Sequence, residues 1–492
     1  MTKPPKPSLS RRDTAGWVLV TGIAQGVRIV VTLLSAAILA RLLLPVDFGL
    51  IATAAPILAF TAMLQNLGLN EALVQRPNLE KHHINALFYL MVGVGAALAG
   101  LLLLAAPLFA AAFHEPRLIG IIRVMAVTAL ITAAASTPIG LMNRRLQFKQ
   151  LALIDITGSI VGFIAGIAIA VMTHSYWALV ATQVATAVVQ LGGGALFAAW
   201  RPGAAKMDEA LRNMIGLGAG FTTFNLLNFL SRNADALLIA SFHGPTALGF
   251  YDRAYKLMLF PLWQSVTPFG RVLTPVLARL QEDPPRYRER YFEATAFLMA
   301  AVQPGVLAAV VFSNATVLAV LGPGWEASGP IFFWLGLTAL HQIYSLTLPW
   351  LFVSQGRAAE FALLGGIGAA IAVTSFVIGL PFGPVGVAMA YAIGDFCIRA
   401  PVAWWFAGRK GPVDLGSLIA NFLPHAIAMI ASAALLLALS RFWSFEGLIR
   451  LGYAVIISYV AYAITLCFFG EKRRLVGAFA QGALKRLKLR PS

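Results

Sequence analysis

Arg28 and Arg232 each stand deep inside a long apolar run, where a guanidinium is out of place unless something needs it. At the centre of a membrane-spanning helix an arginine costs about 2.5–3.5 kcal/mol on insertion scales. Neither arginine is isolated. Thr21, Gln25, Arg28, Thr32 and Ser35 follow one another at steps of three and four residues, which puts them on one face of a helix. Asn225, Asn228, Arg232 and Asp235 repeat the pattern, and Arg253, Lys256, Gln264, Thr267 and Arg271 extend it over a further run. Gln65, Asn66, Asn70 and Glu71 add polar groups near the end of another. The stripes are biased in sign: Arg28, Arg232, Arg253, Lys256 and Arg271 stand against Asp235, Asp252 and Glu71. Guanidinium forks match phosphate oxygens two at a time, so the chemistry on offer is anion binding. Asp155, Asp235 and Asp395 are intramembrane carboxylates that could bind a coupling ion, or cap and pair. Internal pairing is the competing account: Arg232 could close on Asp235 at i,i+3, Asp252 on a neighbour, while Arg253 and Arg271 could snorkel from span ends.

The elements that must position these residues are membrane helices. Of 492 residues, 59% are hydrophobic and only 12% charged, and the mean hydropathy is +0.79. A crossing takes about 20 apolar residues, and the chain divides into about fourteen such runs. They lie near 15–42, 47–74, 84–113, 117–141, 149–173, 175–200, 213–242, 246–279, 291–313, 327–354, 358–380, 383–407, 415–440 and 447–470. Lipid offers no partner to a bare backbone amide, and the runs lack the period-2 alternation of a membrane barrel, so the fold class is all-α and polytopic. Helices so striped cannot all turn their polar faces to lipid; they are expected to share a water-filled cavity. Spans 3, 9, 11 and 13 are nearly charge-free and are expected on the outside.

The formal charge of +17 has a side. Apart from residues inside spans, only Arg41, Arg117, Arg441 and Arg450 fall in connections opposite the termini, so both termini are expected in the cytoplasm. The tail from Lys472 to Arg490 reads as an interfacial segment against anionic headgroups rather than a nucleic-acid site. The first apolar run is too long for a signal peptide and reads as a retained helix. Cys397 and Cys467 sit in separate apolar spans and make no disulfide framework, the histidines show no ligand spacing, and His82-His83 reads as a solvated pair. There is no Walker loop. No metal or other cofactor is expected.

The chain echoes itself. Ala36–Ala40 followed by Pro45-Val46-Asp47-Phe48-Gly49-Leu50 recurs, without a gap and two hundred residues on, as Ala236–Ala240 followed by Pro245-Thr246-Ala247-Leu248-Gly249-Phe250. Trp177–Ala181 has a fainter echo in Val385–Met389. Both join equivalent places in spans 1–6 and 7–12, which predicts two parallel six-helix repeats, with spans 13 and 14 outside them. The expected organisation is a cytoplasmic segment 1–14, a bundle 15–200, a linker 201–212, a bundle 213–407, two helices within 415–470 and a basic tail 471–492.

Several stretches resemble a known family. They are Ala40-Arg41-Leu42-Leu43-Leu44-Pro45-Val46-Asp47-Phe48-Gly49, Asn66-Leu67-Gly68-Leu69, Ala72-Leu73-Val74-Gln75-Arg76, Asn143-Arg144-Arg145-Leu146-Gln147-Phe148, Tyr176-Trp177-Ala178-Leu179-Val180 and Ala247–Leu257. Together, over about residues 12–410, they resemble the oligosaccharide flippase (Wzx-like) branch of the multidrug/oligosaccharidyl-lipid/polysaccharide exporter superfamily. The resemblance implies a flippase for sugar repeat units linked to undecaprenyl pyrophosphate, working in a bacterial inner membrane beside a polysaccharide polymerase and chain-length machinery. Arg28 and Arg232 would then receive the diphosphate, and Arg253, Lys256 and Arg271 would extend a charged path. Gln25, Asn66, Asn225, Asn228 and Gln264 would hydrogen-bond sugar or phosphate. Two other functions are weighed against this. A drug antiporter of the same superfamily calls for an acidic, aromatic cavity, and a membrane enzyme of polysaccharide assembly calls for a larger outer loop than any present.

Overall fold

A chain this apolar can satisfy its backbone in lipid only by coiling, and the computed structural model is helical throughout the residues it describes: 11–66, 80–205, 209–442 and 447–470. The side chains of 11–24, 66, 209–228 and 230–232 lie outside that description. The chain divides into two compact units, Met1–Gly249 and Phe250–Ser492.

The first unit holds α1 (Arg11–Leu42), α2 (Pro45–Asn66), α3 (Lys81–Ala112), α4 (Arg117–Arg144), α5 (Phe148–Thr173), α6 (Trp177–Phe197) and the start of α7 (Glu209–Arg279). Lipid is as apolar as leucine, so helices associate through close backbone approach rather than through hydrophobic burial. α5 shows how. Gly158, Gly162 and Gly166 recur every fourth residue and form a groove for α6, where a Cβ on Gly162 would meet the Thr182 carbonyl oxygen at 2.8 Å. The Thr186 hydroxyl donates to the Gly158 carbonyl at 3.2 Å across the same seam. Around α4, Leu50 and Ile57 of α2, Leu102 and Ala106 of α3, and Ile121, Ile122 and Met125 of α4 itself form one buried cluster.

Turns are tied to one another. Asp47 accepts the Leu44 amide at 3.0 Å and, from across the unit, the Tyr176 amide at 3.0 Å. That links the α1–α2 turn to the α5–α6 turn, two of the stretches that carry the family resemblance. α7 bends at Gly244, whose φ of 77° and ψ of 176° suit only glycine. Just beyond the bend the echoed stretches meet. A Cβ on Gly49 would collide with the Pro245 carbonyl, one on Gly249 would collide with the Pro45 carbonyl, and each would lie 3.1 Å from the other glycine's amide nitrogen. The contact is reciprocal.

The second unit continues α7 and adds α8 (Pro284–Val311), α9 (Ser313–Leu321), α10 (Ser328–Ser345), α11 (Leu348–Ser354), α12 (Ala358–Gly379), α13 (Gly383–Gly394), α14 (Ala400–Gly408), α15 (Leu415–Ser440) and α16 (Gly447–Cys467). A 3-10 turn, Leu380–Phe382, joins α12 to α13, and a π turn, Asp395–Arg399, joins α13 to α14. Span 9, the nearly charge-free C-terminal part of α8, is expected on the outside, but α8 is packed against α10, α15 and α16, and 56% of its apolar window is buried. Absence of charge fits a helix in a protein interior as well as one in lipid; small polar groups mark the difference. Buried Gln303 of α8 donates to the Leu340 carbonyl of α10 at 2.8 Å and accepts the Tyr462 hydroxyl of α16 at 2.6 Å, and His425 of α15 meets that hydroxyl at 2.6 Å. Ser458 donates to the Pro304 carbonyl at 2.7 Å and Tyr459 to the Ala301 carbonyl at 2.6 Å. Polar side chains therefore bind α15 and α16 to α8.

Among the described residues, eleven segments are long and apolar enough to cross a membrane, and one of them, Ala358–Gly408, runs to 51 residues and contains the turn at Leu380–Phe382. α7 is not counted among them.

The glycine groove yields a stability prediction. Gly162→Leu forces α5 off α6 and costs about 1–3 kcal/mol, the usual penalty of overpacking. Gly100→Leu, at a position with nothing within 4 Å, leaves stability unchanged. Thermal unfolding of the two purified variants in detergent checks this, and equal melting temperatures would refute the groove's role.

Candidate functional site: intramembrane charges in each unit

In the first unit Arg28 projects from α1 with its side chain exposed, inside the candidate span Gln25–Leu42. α1 packs on α5, and Asp155 of α5, also exposed, lies within electrostatic reach of Arg28. Gln25, one turn before Arg28, is half-buried. Asp235 is buried, with its carboxylate accepting the Ala236 amide at 2.8 Å. Gln65 of the α2 stripe is buried and reaches the Ala129 carbonyl at 3.4 Å. Arg232, Asn66, Asn225 and Asn228 have side chains outside the described residues.

In the second unit one turn of α7 gathers a triad. Asp252 is bound by Arg253 at 2.6 Å and by Lys256 at 2.8 Å. The partners differ in environment: the Arg253 side chain is 15% exposed and that of Lys256 is 55% exposed. Asp252 thus pairs with its neighbours, and the triad keeps one net positive charge. Further along α7, Gln264 is half-buried and Arg271 exposed.

A second cluster is buried where α10 meets α13 and α14. Asp395 opens the π turn; its Oδ1 is bound by Arg399, one turn on, and its Oδ2 lies 2.6 Å from His341 Nε2. Arg399 donates to the Tyr391 hydroxyl at 2.9 Å, and Gln342 donates to the same hydroxyl at 3.1 Å. Asp395 is therefore not a solitary carboxylate. Its i,i+4 spacing from Arg399 was visible in the sequence, whereas His341, Gln342 and Tyr391 carry no spacing signal, because separate helices bring them in.

Charges at the helix ends do structural work. Glu115 is held below the usual carboxylate range by its fork to Arg117 at 2.7 Å and 2.8 Å, and Asp414 is lowered by the hydroxyl and amide of Ser417 at the start of α15. His83 accepts the Glu80 amide at 3.2 Å as α3 begins, and His82 leans on the Glu80 carboxylate at 3.4 Å. No cluster with metal-ligand character occurs among the described residues.

Fold comparison places this arrangement. The lipid II flippase MurJ, in an inward closed conformation, aligns with a TM-score of 0.76 over 93% of this chain and 100% of its own, at 12% sequence identity. A multidrug resistance MATE family transporter of the MOP superfamily, in an inward-facing conformation, aligns at 0.62 over 82% and 95%, at 13% identity. At such identities the likeness is one of fold: a multi-pass membrane protein built as the multidrug/oligosaccharidyl-lipid/polysaccharide exporters are. The chain belongs to the polysaccharide biosynthesis protein family, whose profile matches residues 38–330.

Among curated relatives, the teichuronic acid biosynthesis protein TuaB of Bacillus subtilis (strain 168) is 26% identical over 304 residues, covering 61% of this chain and 62% of its own. The lipopolysaccharide biosynthesis protein WzxC of Escherichia coli (strain K12) is 23% identical over 327 residues, covering 65% and 66%. The succinoglycan biosynthesis transport protein ExoT of Rhizobium meliloti (strain 1021) is 24% identical over 307 residues, covering 62% and 61%. The chain spans less than two thirds of the length of each.

The α7 triad separates burial from charge. Removing one member of a desolvated ion pair costs about 3–5 kcal/mol, whereas an exposed pair contributes about 0–1 kcal/mol. Arg253→Met therefore lowers the melting temperature of the purified protein well below that of Lys256→Met. Equal shifts would show that the triad's burial does not govern its stability.

Proposed function

We propose that this protein is a flippase that moves oligosaccharide repeat units linked to undecaprenyl pyrophosphate from the cytoplasmic to the periplasmic leaflet of a bacterial inner membrane. The product would be exported surface polysaccharide: lipopolysaccharide O-antigen, capsule or exopolysaccharide. Membership of the polysaccharide biosynthesis family and the exporter fold support the reading. The observation that carries it is Arg28, an exposed cation within a candidate span. A guanidinium facing hydrocarbon is costly, so an exposed one at that depth borders a water-filled path, and a diphosphate is the anion its fork fits.

In this reading the protein has fourteen spans, organised as bundles 15–200 and 213–407 in parallel repeats around a central cavity, with two further helices in 415–470. Segments 1–14 and 471–492 and the linker 201–212 lie in the cytoplasm. Arg28 and Arg232 take the diphosphate, and Arg253, Lys256 and Arg271 extend the charged path. Gln25, Asn66, Asn225, Asn228 and Gln264 bond sugar or phosphate, while the polyprenyl tail stays in lipid. Alternating access by rocking of the two bundles moves the head group. Partners are membrane lipids, the lipid-linked substrate, and the polymerase and chain-length machinery that consume the product.

Arg28→Ala and Arg232→Ala are expected to abolish surface polysaccharide while membrane insertion stays normal. Each should also weaken binding of a fluorescent undecaprenyl-pyrophosphate sugar to the purified protein by at least tenfold, about 1.4 kcal/mol. Wild-type export and binding in both variants would remove the cationic path from the mechanism.

A further inference from the structure

His341 and Asp395 are buried inside the second unit, with the Arg399 side chain 32% exposed beside them, and the handling of an anion makes no use of this cluster. His341 is 3% exposed and Asp395 2%. Ionisable groups at membrane depth are rare enough to call for a function, and π turns recur at functional sites. The Asp395–Arg399 pair accounts for itself: a carboxylate and a guanidinium cancel, and the turn between them is clipped shut. The imidazole is left over.

We propose that His341 is a proton-binding site, and that proton uptake there supplies the ion coupling of the transport reading above. The site stands on its own geometry; only its role rests on that reading. Nε2 is engaged by the Asp395 carboxylate, whereas Nδ1 has no short hydrogen bond. Nε2 lies 2.6 Å from Asp395 Oδ2, and Nδ1 lies 3.4 Å from the Ser345 hydroxyl. An imidazole anchored at Nε2 can change protonation at Nδ1 without breaking that contact. It also keeps a carboxylate within contact, ready to balance the charge it gains.

The proton balance is simple. With His341 neutral, Asp395 and Arg399 leave the cluster uncharged, the cheapest state for a buried site. In that state Nε2 carries its hydrogen toward Asp395 and Nδ1 holds the free lone pair. One proton drawn from water on one side of the membrane binds Nδ1 and gives an imidazolium; its release to the other side restores the starting state. The Ser345 hydroxyl, which already accepts the Trp404 indole N–H at 3.2 Å, must then accept from Nδ1 as well and turn its own hydrogen away. Uptake on α10 is thereby felt on α14.

The surroundings favour a proton over a metal cation. From α13 and the π turn, Asp395, Arg399 and the Tyr391 hydroxyl face the site, with the Phe396 ring 4.5 Å from the imidazole centroid to centroid. From α7, Tyr255 lies within electrostatic reach of Arg399. From α14 comes Trp404, from α10 itself Gln342 and Ser345, and from α12 the uncharged backbone at Gly368 beside the Arg399 side chain. Arg399 already occupies the carboxylate, so a sodium ion there would have to sit against a fixed guanidinium. A proton on imidazole needs no such vacancy.

The test uses the full-length protein in lipid nanodiscs with ¹⁵N-labelled histidine. The His341 signals are assigned by their loss in His341→Gln or, should that variant not fold, in protein with the other histidines replaced. The ring nitrogens are expected to change form as the pH is lowered across the range in which the protein stays folded, equally in sodium and choline chloride, and Asp395→Asn is expected to displace that change. A ring locked in one form across the range overturns the proposal, and so does a titration that sodium suppresses. Neither result depends on lipid-linked sugar, so failure here is distinct from failure of the flippase reading.

Discussion

A charge carried into hydrocarbon has to be matched, and the intramembrane polar groups of this protein are arranged around that requirement. Asp252 answers to Arg253 and Lys256 within a single turn of α7. Asp395 answers to Arg399 within a single turn and to His341 across helices. Toward the helix ends the demand relaxes and partners multiply: Glu360 holds Arg357, Arg409 and Lys410 together, while Arg409 rests over the Phe406 ring at 4.1 Å. Near mid-span the matching is local and sparing. Arg28 departs from it, with its side chain exposed and a carboxylate only within electrostatic reach.

The same low dielectric that makes charges costly makes neutral hydrogen bonds useful as fasteners. Burial against lipid gains little, so α5 and α6 rely on a glycine groove filled by threonines, and α15 and α16 rely on Tyr462, His425, Ser458 and Tyr459 reaching α8. The two devices act on different scales. Glycines let backbones touch along a seam, whereas the Tyr462 hydroxyl fixes one point among three helices. The point contact sets register, because moving α16 along α8 by one residue would strand the Gln303 side chain in an apolar wall.

Sequence periodicity shows the helices plainly, because bilayer thickness imposes their length and lipid excludes every alternative. The echo of Pro45–Leu50 in Pro245–Phe250 is equally visible, and the reciprocal fit of Gly49 and Gly249 gives those residues a shared steric reason. The Gly158, Gly162 and Gly166 series was open to reading as a packing face and passed unread, hidden among 44 glycines. Lateral position was not legible. The nearly charge-free C-terminal part of α8 reads as a lipid-facing helix until Gln303 and Thr295 are seen to be buried against partners from other helices. A stripe marks a helix face by its spacing, but it does not say which of its charges are already paired. Asp252 and Asp395 have partners one turn away that spacing alone offers, while His341 reaches Asp395 only through the folding of α10 against α13.

Charge sign then constrains what the exposed charges of each unit could meet. A cationic cargo would need uncompensated carboxylates, yet Asp252 and Asp395 are already bound by basic side chains and Asp155 stands beside Arg28. An anionic head group meets the opposite situation, since Arg28 and Arg271 are exposed and the α7 triad keeps a positive remainder. In the reading proposed above, a proton taken up at His341 is balanced by Asp395 in place, whatever charge a phosphate brings to the exposed cations. Coupling between the two would then run through helix packing, by way of Ser345 and Trp404, and not through direct charge.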